Sequence, residues 1–300
     1  MVTYYSHGKL LLSGEYLVLD GAKALALPTK FGQTVTIDKT SLNQICWKSF
    51  DENNTLWFEG RFSVAHGLIQ TIESSDNKIS KRLLEIVNVL LKHKPSLFDS
   101  GLNVETHLEF NRHWGLGSSS TLIAFLAEWA SINPYALLKD TFGGSGYDIA
   151  CAMAKGPIIY QLQKNSDPKI DSVAFNPPFK EDLYFVYLNK KQNSREAIAQ
   201  YRKASISDSQ IDAINTITDA MVSCRTLVEF KSLLKEHEAL ISDIISFEPI
   251  QNSFPDFGGH LKSLGAWGGD FILAASNENP TSYFKSKGFA TVIPYKSMVL

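Results

Sequence analysis

A chain of 300 residues in which 44% are hydrophobic and 20% charged has the make-up of a globular protein long enough for two domains, and it excludes fibrous, collagen-like and low-complexity architectures. Its formal net charge of −2 is too near neutral to steer the whole molecule onto nucleic acid or an acidic membrane surface. No stretch approaches the roughly 20 apolar residues of a membrane span, no basic segment followed by an apolar run opens the chain, and Cys46, Cys151 and Cys224 form no Cys-x-x-Cys pair. The expectation is a cytoplasmic protein with reduced cysteines and neither nucleic acid nor membrane as partner.

In chain order, apolar bursts over 9–12 and 16–19 around Ser13-Gly14-Glu15 predict strand, turn, strand, and further strands are predicted over 33–37, 45–47 and 55–58. Leu83, Ile86, Val87, Leu90 and Leu91 keep helical spacing and stop before Pro95, which predicts a helix over 79–91. A strand over 102–110 leads into Gly115-Leu116-Gly117-Ser118-Ser119-Ser120. A helix carrying Leu122, Ile123, Phe125, Leu126 and Trp129 follows, and ends near Asn133-Pro134. A short helix over 134–139 precedes Gly143-Gly144-Ser145-Gly146, whose glycines permit backbone angles that other residues resist. The polar stretch 163–171, with Pro177-Pro178 beyond it, is the candidate boundary between domains 1–170 and 171–300. After it come a strand over 183–188, helices over 207–224 and 227–245, and strands over 271–275 and 289–293.

The glycine-serine loop carries the most chemistry. The first turn of a helix leaves backbone N–H groups without internal partners, and the helix dipole makes that end partly positive, so anions bind there. Small side chains let a polyphosphate approach the backbone, and a serine hydroxyl can reach a magnesium ion bridging phosphates. The same residues serve equally well as a serine-rich helix start with no ligand. A Walker A loop, a Gly-x-Gly-x-x-Gly fingerprint, a Gly-x-Ser-x-Gly elbow and a His-Glu-x-x-His helix are all absent.

Three separated segments, Gly8-Lys9-Leu10-Leu11-Leu12-Ser13-Gly14-Glu15-Tyr16-Leu17-Val18-Leu19-Asp20-Gly21, the serine loop, and Gly265-Ala266-Trp267-Gly268-Gly269-Asp270, resemble the three ordered motifs of the GHMP kinase superfamily, over almost the whole chain. The resemblance implies a two-domain α/β (α+β) fold. Its parts are an N-terminal ribosomal-protein-like βαβ domain that binds nucleotide and a C-terminal ferredoxin-like domain, with the active site in the cleft between them. It also implies ATP and Mg2+: ATP over Gly115, Leu116, Gly117, Ser118, Ser119 and Ser120, and the metal on Ser119. Gly144-Ser145-Gly146-Tyr147-Asp148 resembles the family's Gly-Ser-Gly-x-Asp, which carries the role of catalytic base or electrostatic organiser to Asp148; the residue also suits the cap of the helix that follows. Lys9 takes the place of the lysine near the acceptor hydroxyl. Two departures stand out: the position of a magnesium-binding glutamate falls on Leu137, and Trp267 stands where the family has glycine.

Glu-Tyr after Gly14 and Gly-Gly-Asp at 268–270 are more similar to phosphomevalonate kinases than to mevalonate kinases. The polar run 189–195 is similar to a substrate-facing loop. The acceptor site implied comprises Glu15, Tyr16, Lys190, Ser194, Arg195, Gly265, Gly268 and Gly269, and the partner is a small-molecule acceptor, phosphomevalonate or mevalonate. A homoserine or sugar kinase and a ligand sensor without catalysis stand as alternatives. The chain is expected to be a monomer or homodimer.

Overall fold

The computed structural model describes residues 1–164, 166–191 and 194–300, leaving out the side chains of 194–196. The chain forms two compact units. The first comprises Met1–Gly8, Phe31–Arg112 and Leu116–Met153, and the second Lys9–Lys30, His113–Gly115 and Ala154–Leu300. The expected division at residue 170 is a single cut, whereas these units exchange the chain several times, because the strands β1 (Val2–Leu11) and β2 (Ala24–Thr40), which pair with each other, each contribute to both.

In the first unit, β2 is followed by β3 (Ile45–Phe50), β4 (Leu56–Ala65), β5 (Leu68–Ser74), α1 (Asn77–His93), β6 (Gly101–Leu108), α2 (Ser118–Ala130), α3 (Pro134–Thr141) and α4 (Tyr147–Met153). The sheet order is β5-β4-β3-β6-β2, with β3 and β6 parallel and the other neighbours antiparallel. Alternation along each strand sends Val35, Ile37, Ile45, Trp47, Leu102 and Val104 to one face, where they meet the apolar stripe of α1 (Leu83, Ile86, Val87, Leu90) and Ile123 and Leu126 of α2. Asp76 caps α1, its carboxylate accepting from Lys78 and Ile79 N–H at 2.8 and 3.1 Å.

The second unit adds β7 (Ile158–Gln161), β8 (Lys169–Ser172), β9 (Leu183–Tyr187), α5 (Ser194–Tyr201), α6 (Asp208–Ser223), α7 (Leu227–Ile245), β10 (His260–Ser263), β11 (Phe271–Ala275), α8 (Thr281–Ser286) and β12 (Val292–Pro294). A ribbon of β7 and β8 pairs with residues 24–26 of β2. The other four strands form an antiparallel sheet in the order β10-β11-β9-β12. Numbered by their own succession these strands lie in the order 2-3-1-4, and helices occupy the first and third connections, which is the β-α-β-β-α-β arrangement of a ferredoxin-like domain.

The expected strand over 16–19 is instead a 3₁₀ turn, Leu17–Asp20, entered through Tyr16 at φ 63°. Leu17 and Val18 are both buried, a pattern that strand alternation cannot produce. The last expected strand moves to Val292–Pro294. The strands β5, β7, β8 and β10 and the short helix α8 were not predicted; β8 is exposed along its whole length and has no apolar periodicity to read. All three cysteines are free, and among the described residues no helix is long and apolar enough to cross a membrane.

Candidate active site

Two left-handed glycines, Gly115 at φ 68° and Gly117 at φ 91°, turn the chain into α2. Gly117 occupies the N-cap position and offers no side-chain acceptor. The first backbone bond of the helix runs from Thr121 N to Gly117 O at 3.0 Å. The N–H groups of Ser118, Ser119 and Ser120 find no acceptor among the described residues, so three donors point out of a partly positive helix end. Leu116 is buried and anchors the loop. The Ser120 hydroxyl bonds back to Gly117 O at 2.8 Å, and Thr121 Oγ1 reaches Gln33 Oε1 at 2.6 Å, which fixes the first turn from below. Ser119 is the exposed serine of the three.

Three further left-handed glycines, Gly143, Gly144 and Gly146, lead into α4. Gly146 O accepts from Ile149 and Ala150 N–H, both at 3.1 Å, and opens the helix. Asp148 lies in its first turn, half-buried, with Oδ1 accepting from Ile149 N–H at 3.0 Å. Within the first unit α4 packs on α2, with Ile149, Ala152, Ile123 and Ala127 in one apolar cluster. The serine loop and the Asp148 turn thus open two helices that pack on each other. Leu137 is fully buried in the same cluster, so no donor stands at that departure.

The remaining candidates belong to the second unit. Lys9 is half-buried on β1. Glu15 and Tyr16, expected as acceptor contacts, are both buried in the core. Glu15 Oε1 accepts from the Lys262 ammonium, Lys262 Nζ also reaches Ser263 O at 2.7 Å, and His237 Nε2 stands 3.1 Å from Glu15 Oε2. Burial pushes the Glu15 carboxyl up, but the Lys262 ammonium beside it overcomes this and holds it below the ordinary value. Burial and Lys262 together hold the His237 imidazole below its own. Tyr16 stacks on Tyr201 with ring centroids 5.4 Å apart, inside a cluster with Leu17, Ile214, Ile241, Ile245 and Trp267. Trp267 therefore packs beneath the third motif as core.

That motif is bent by Gly265 at φ 62°, Trp267 at 51°, Gly268 at 73° and Asp270 at 52°. Gly268 is exposed and Gly269 buried. Asp270 joins two loops: its N–H donates to Lys190 O at 2.6 Å and its O accepts from Leu188 N–H at 2.8 Å. Its carboxylate meanwhile lies against Gly115. Trp114 packs edge-on against Phe271, and Tyr187 Oη donates to His113 O at 3.2 Å, holding segment 113–115 on β9 and β11. The Lys190 side chain is exposed, while the expectations for Ser194 and Arg195 fall on side chains outside the described ones. Sequence reasoning left out Lys262 and His237, and named Asp270 only as part of the third motif. The first two sit 247 and 223 residues from their partners Glu15 and Gly14 and carry no local signal.

Among solved structures, mevalonate kinase from Methanococcus jannaschii superposes with a TM-score of 0.67 at 18% identity, over 97% of this chain and 96% of that one. Phosphomevalonate kinase from Streptococcus pneumoniae, in complex with phosphomevalonate and AMPPNP, gives 0.68 at 14% identity over 100% and 98%. Galactokinase from Lactococcus lactis, complexed with galactose, gives 0.62 at 15% identity over 95% and 87%. The chain has the GHMP kinase fold. No family model and no curated protein sequence matches it. In this GHMP fold, the motifs read from sequence form the glycine turn before α2, the turn before α4, and the bend between β10 and β11.

Proposed function

We propose that the protein is an ATP-dependent small-molecule kinase whose acceptor is phosphomevalonate or mevalonate. The observation that carries this reading is the start of α2, where a glycine turn without a capping side chain leaves the amides of Ser118, Ser119 and Ser120 directed outward. Such a terminus suits the phosphates of ATP. Gly115, Leu116 and Gly117 shape the approach.

Among the described residues no group of three or more His, Cys, Asp or Glu side chains is arranged to hold a metal ion. Magnesium often keeps several waters and leans on substrate phosphates with one or two protein oxygens, so the exposed Ser119 hydroxyl fits as its protein ligand. When bound, Mg2+ supplies neutralisation of charge on the phosphates. Asp148 would accept the proton of the acceptor hydroxyl or hold that hydroxyl in line by its charge. Lys9 would stabilise the developing alkoxide and the charge of the transferring group. Lys190, with Lys191 beside it, is a cation of the 189–195 loop suited to an anionic acceptor, with Ser194, Arg195 and the glycines Gly265, Gly268 and Gly269 as further candidate contacts.

The choice of acceptor rests on the sequence motifs together with the likeness to a phosphomevalonate kinase bound to phosphomevalonate. Coupled ADP release, measured with mevalonate, phosphomevalonate, homoserine and several hexoses, tests both levels. Turnover with one of the first two supports the full proposal, and turnover only with homoserine or a hexose keeps the kinase and replaces the acceptor. ADP release with none of them, beside tight binding of any one, favours a ligand sensor.

A further inference from the structure

The buried group around Glu15 contains a conflict of hydrogen bonding that one proton would tip from one partner to the other. Gly14 N–H donates to His237 Nε2 at 3.0 Å. A nitrogen that accepts carries no hydrogen, so the imidazole proton sits on Nδ1, which is buried with no hydrogen-bond partner among the described residues. On the other side of Nε2, at 3.1 Å, stands Glu15 Oε2, which is also buried and also lacks a donor. The Nε2 lone pair can serve Gly14, or an Nε2–H can serve Glu15, but not both.

The surroundings make the choice matter. Gly14 has φ 82°, and a β-carbon there would stand 2.5 Å from Lys23 O, so the turn has little room. Ser13 braces it, with Oγ accepting from Leu25 N–H at 3.1 Å and meeting Thr218 Oγ1 of α6 at 2.8 Å. The charged groups that face the imidazole are Glu15 from the turn and Lys262 from β10. The neighbouring Glu238 on α7 is turned instead to Ser263 and Ile250.

We infer that His237 is a positioning residue for the Gly14–Glu15 turn: neutral, it holds Gly14 N–H, and on taking a proton at Nε2 it releases Gly14 and donates to Glu15. The turn follows directly on the strand that carries Lys9, so acid loosens the first motif of the fold. The consequence for phosphoryl transfer rests on the kinase reading, whereas the hydrogen-bond exchange does not.

The test is amide hydrogen exchange of the segment containing Gly14, corrected for the intrinsic pH dependence, in the full chain and in His237→Gln, whose side-chain oxygen can still accept from Gly14 but does not titrate. The parent is expected to lose protection at Gly14 by at least about tenfold on acidification, and His237→Gln to keep it. Equal pH profiles in the two proteins overturn the proposal. Nitrogen NMR of histidine-labelled parent protein needs no variant: at neutral pH the buried imidazole must show the Nδ1–H tautomer, and an Nε2–H tautomer overturns the proposal even if His237→Gln fails to fold. Under the kinase reading, His237→Gln also flattens the acid limb of turnover. Absence of ADP release at every pH would count against the kinase and leave the exchange result intact.

Discussion

The Asp270 carboxylate occupies the space that a side chain at Gly115 would need. A β-carbon built there would stand 2.5 Å from Asp270 Cγ and 2.5 Å from Oδ2, and Gly115 is already at φ 68°. Gly115→Ala therefore meets both a collision and a left-handed backbone, a strain of roughly 1–3 kcal/mol. We expect a lower unfolding temperature together with weaker nucleotide binding, because the residue opens the loop before α2. Set against Asp270→Ala alone, which already lacks the colliding carboxyl group, adding Gly115→Ala should cost only the part due to φ. Calorimetric unfolding and nucleotide titration check this, and an alanine variant with unchanged values for both contradicts it.

Asp148 lies in the first turn of α4, and its carboxylate accepts from the N–H of its neighbour Ile149 at 3.0 Å. Asp148→Asn keeps the size and an acceptor oxygen while removing the charge. Turnover should drop by at least about 100-fold with nucleotide affinity nearly intact, as expected for an acid-base or charge-organising group. Steady-state kinetics beside direct ATP titration separate the two effects, and unchanged turnover removes Asp148 from the proposed mechanism.

What could be read from the sequence followed its local periodicities. The stripe of α1, the glycine turns before α2 and α4, and the paired helices α6 and α7 are written in spacings of one to four residues. The turn Leu17–Asp20 was misread because its apolar run looks like a short strand, while tertiary burial of both Leu17 and Val18 selects a 3₁₀ turn. The expectation that Glu15 contacts an acceptor comes from the likeness of Gly14-Glu15-Tyr16 to a family motif, whereas the side chain is fully buried. Its actual role depends on Lys262 and His237, which the chain brings to it only through α7 and β10. Such long-range pairings leave no trace in local patterning.

Trp267 combines two features that ordinarily exclude each other, full burial and a positive φ of 51°. Truncation of a buried tryptophan to alanine costs roughly 3–5 kcal/mol. Glycine leaves an even larger void, but it relieves the left-handed backbone, which is worth about 1 kcal/mol. Trp267→Gly should therefore be no less stable than Trp267→Ala, the reverse of the usual order in a core. Urea unfolding of both variants decides the point. A glycine variant clearly less stable than the alanine one would mean that the backbone bend carries no strain.

The buried carboxylates and imidazole of the second unit predict a stability profile with opposing slopes. His237, held below its ordinary 6.5 by burial and Lys262, binds a proton more readily in the unfolded chain. Its contribution is complete above about pH 6.5 and declines as pH falls toward the depressed folded value. Glu15, held below its ordinary 4.5, acts with the same sign but only below about pH 4.5. Glu238, 2% exposed, is pushed above 4.5 by burial. The folded protein holds its proton more tightly, so Glu238 adds stability at low pH that is lost as pH rises through its raised value. Between roughly pH 4.5 and 6.5 His237 and Glu238 therefore pull in opposite directions. Denaturant unfolding across that window should show a shallower acid loss in His237→Gln, where the positive slope is removed, and a steeper one in Glu238→Gln, where the opposing slope is removed. If both substitutions move the slope the same way, the assigned signs are wrong.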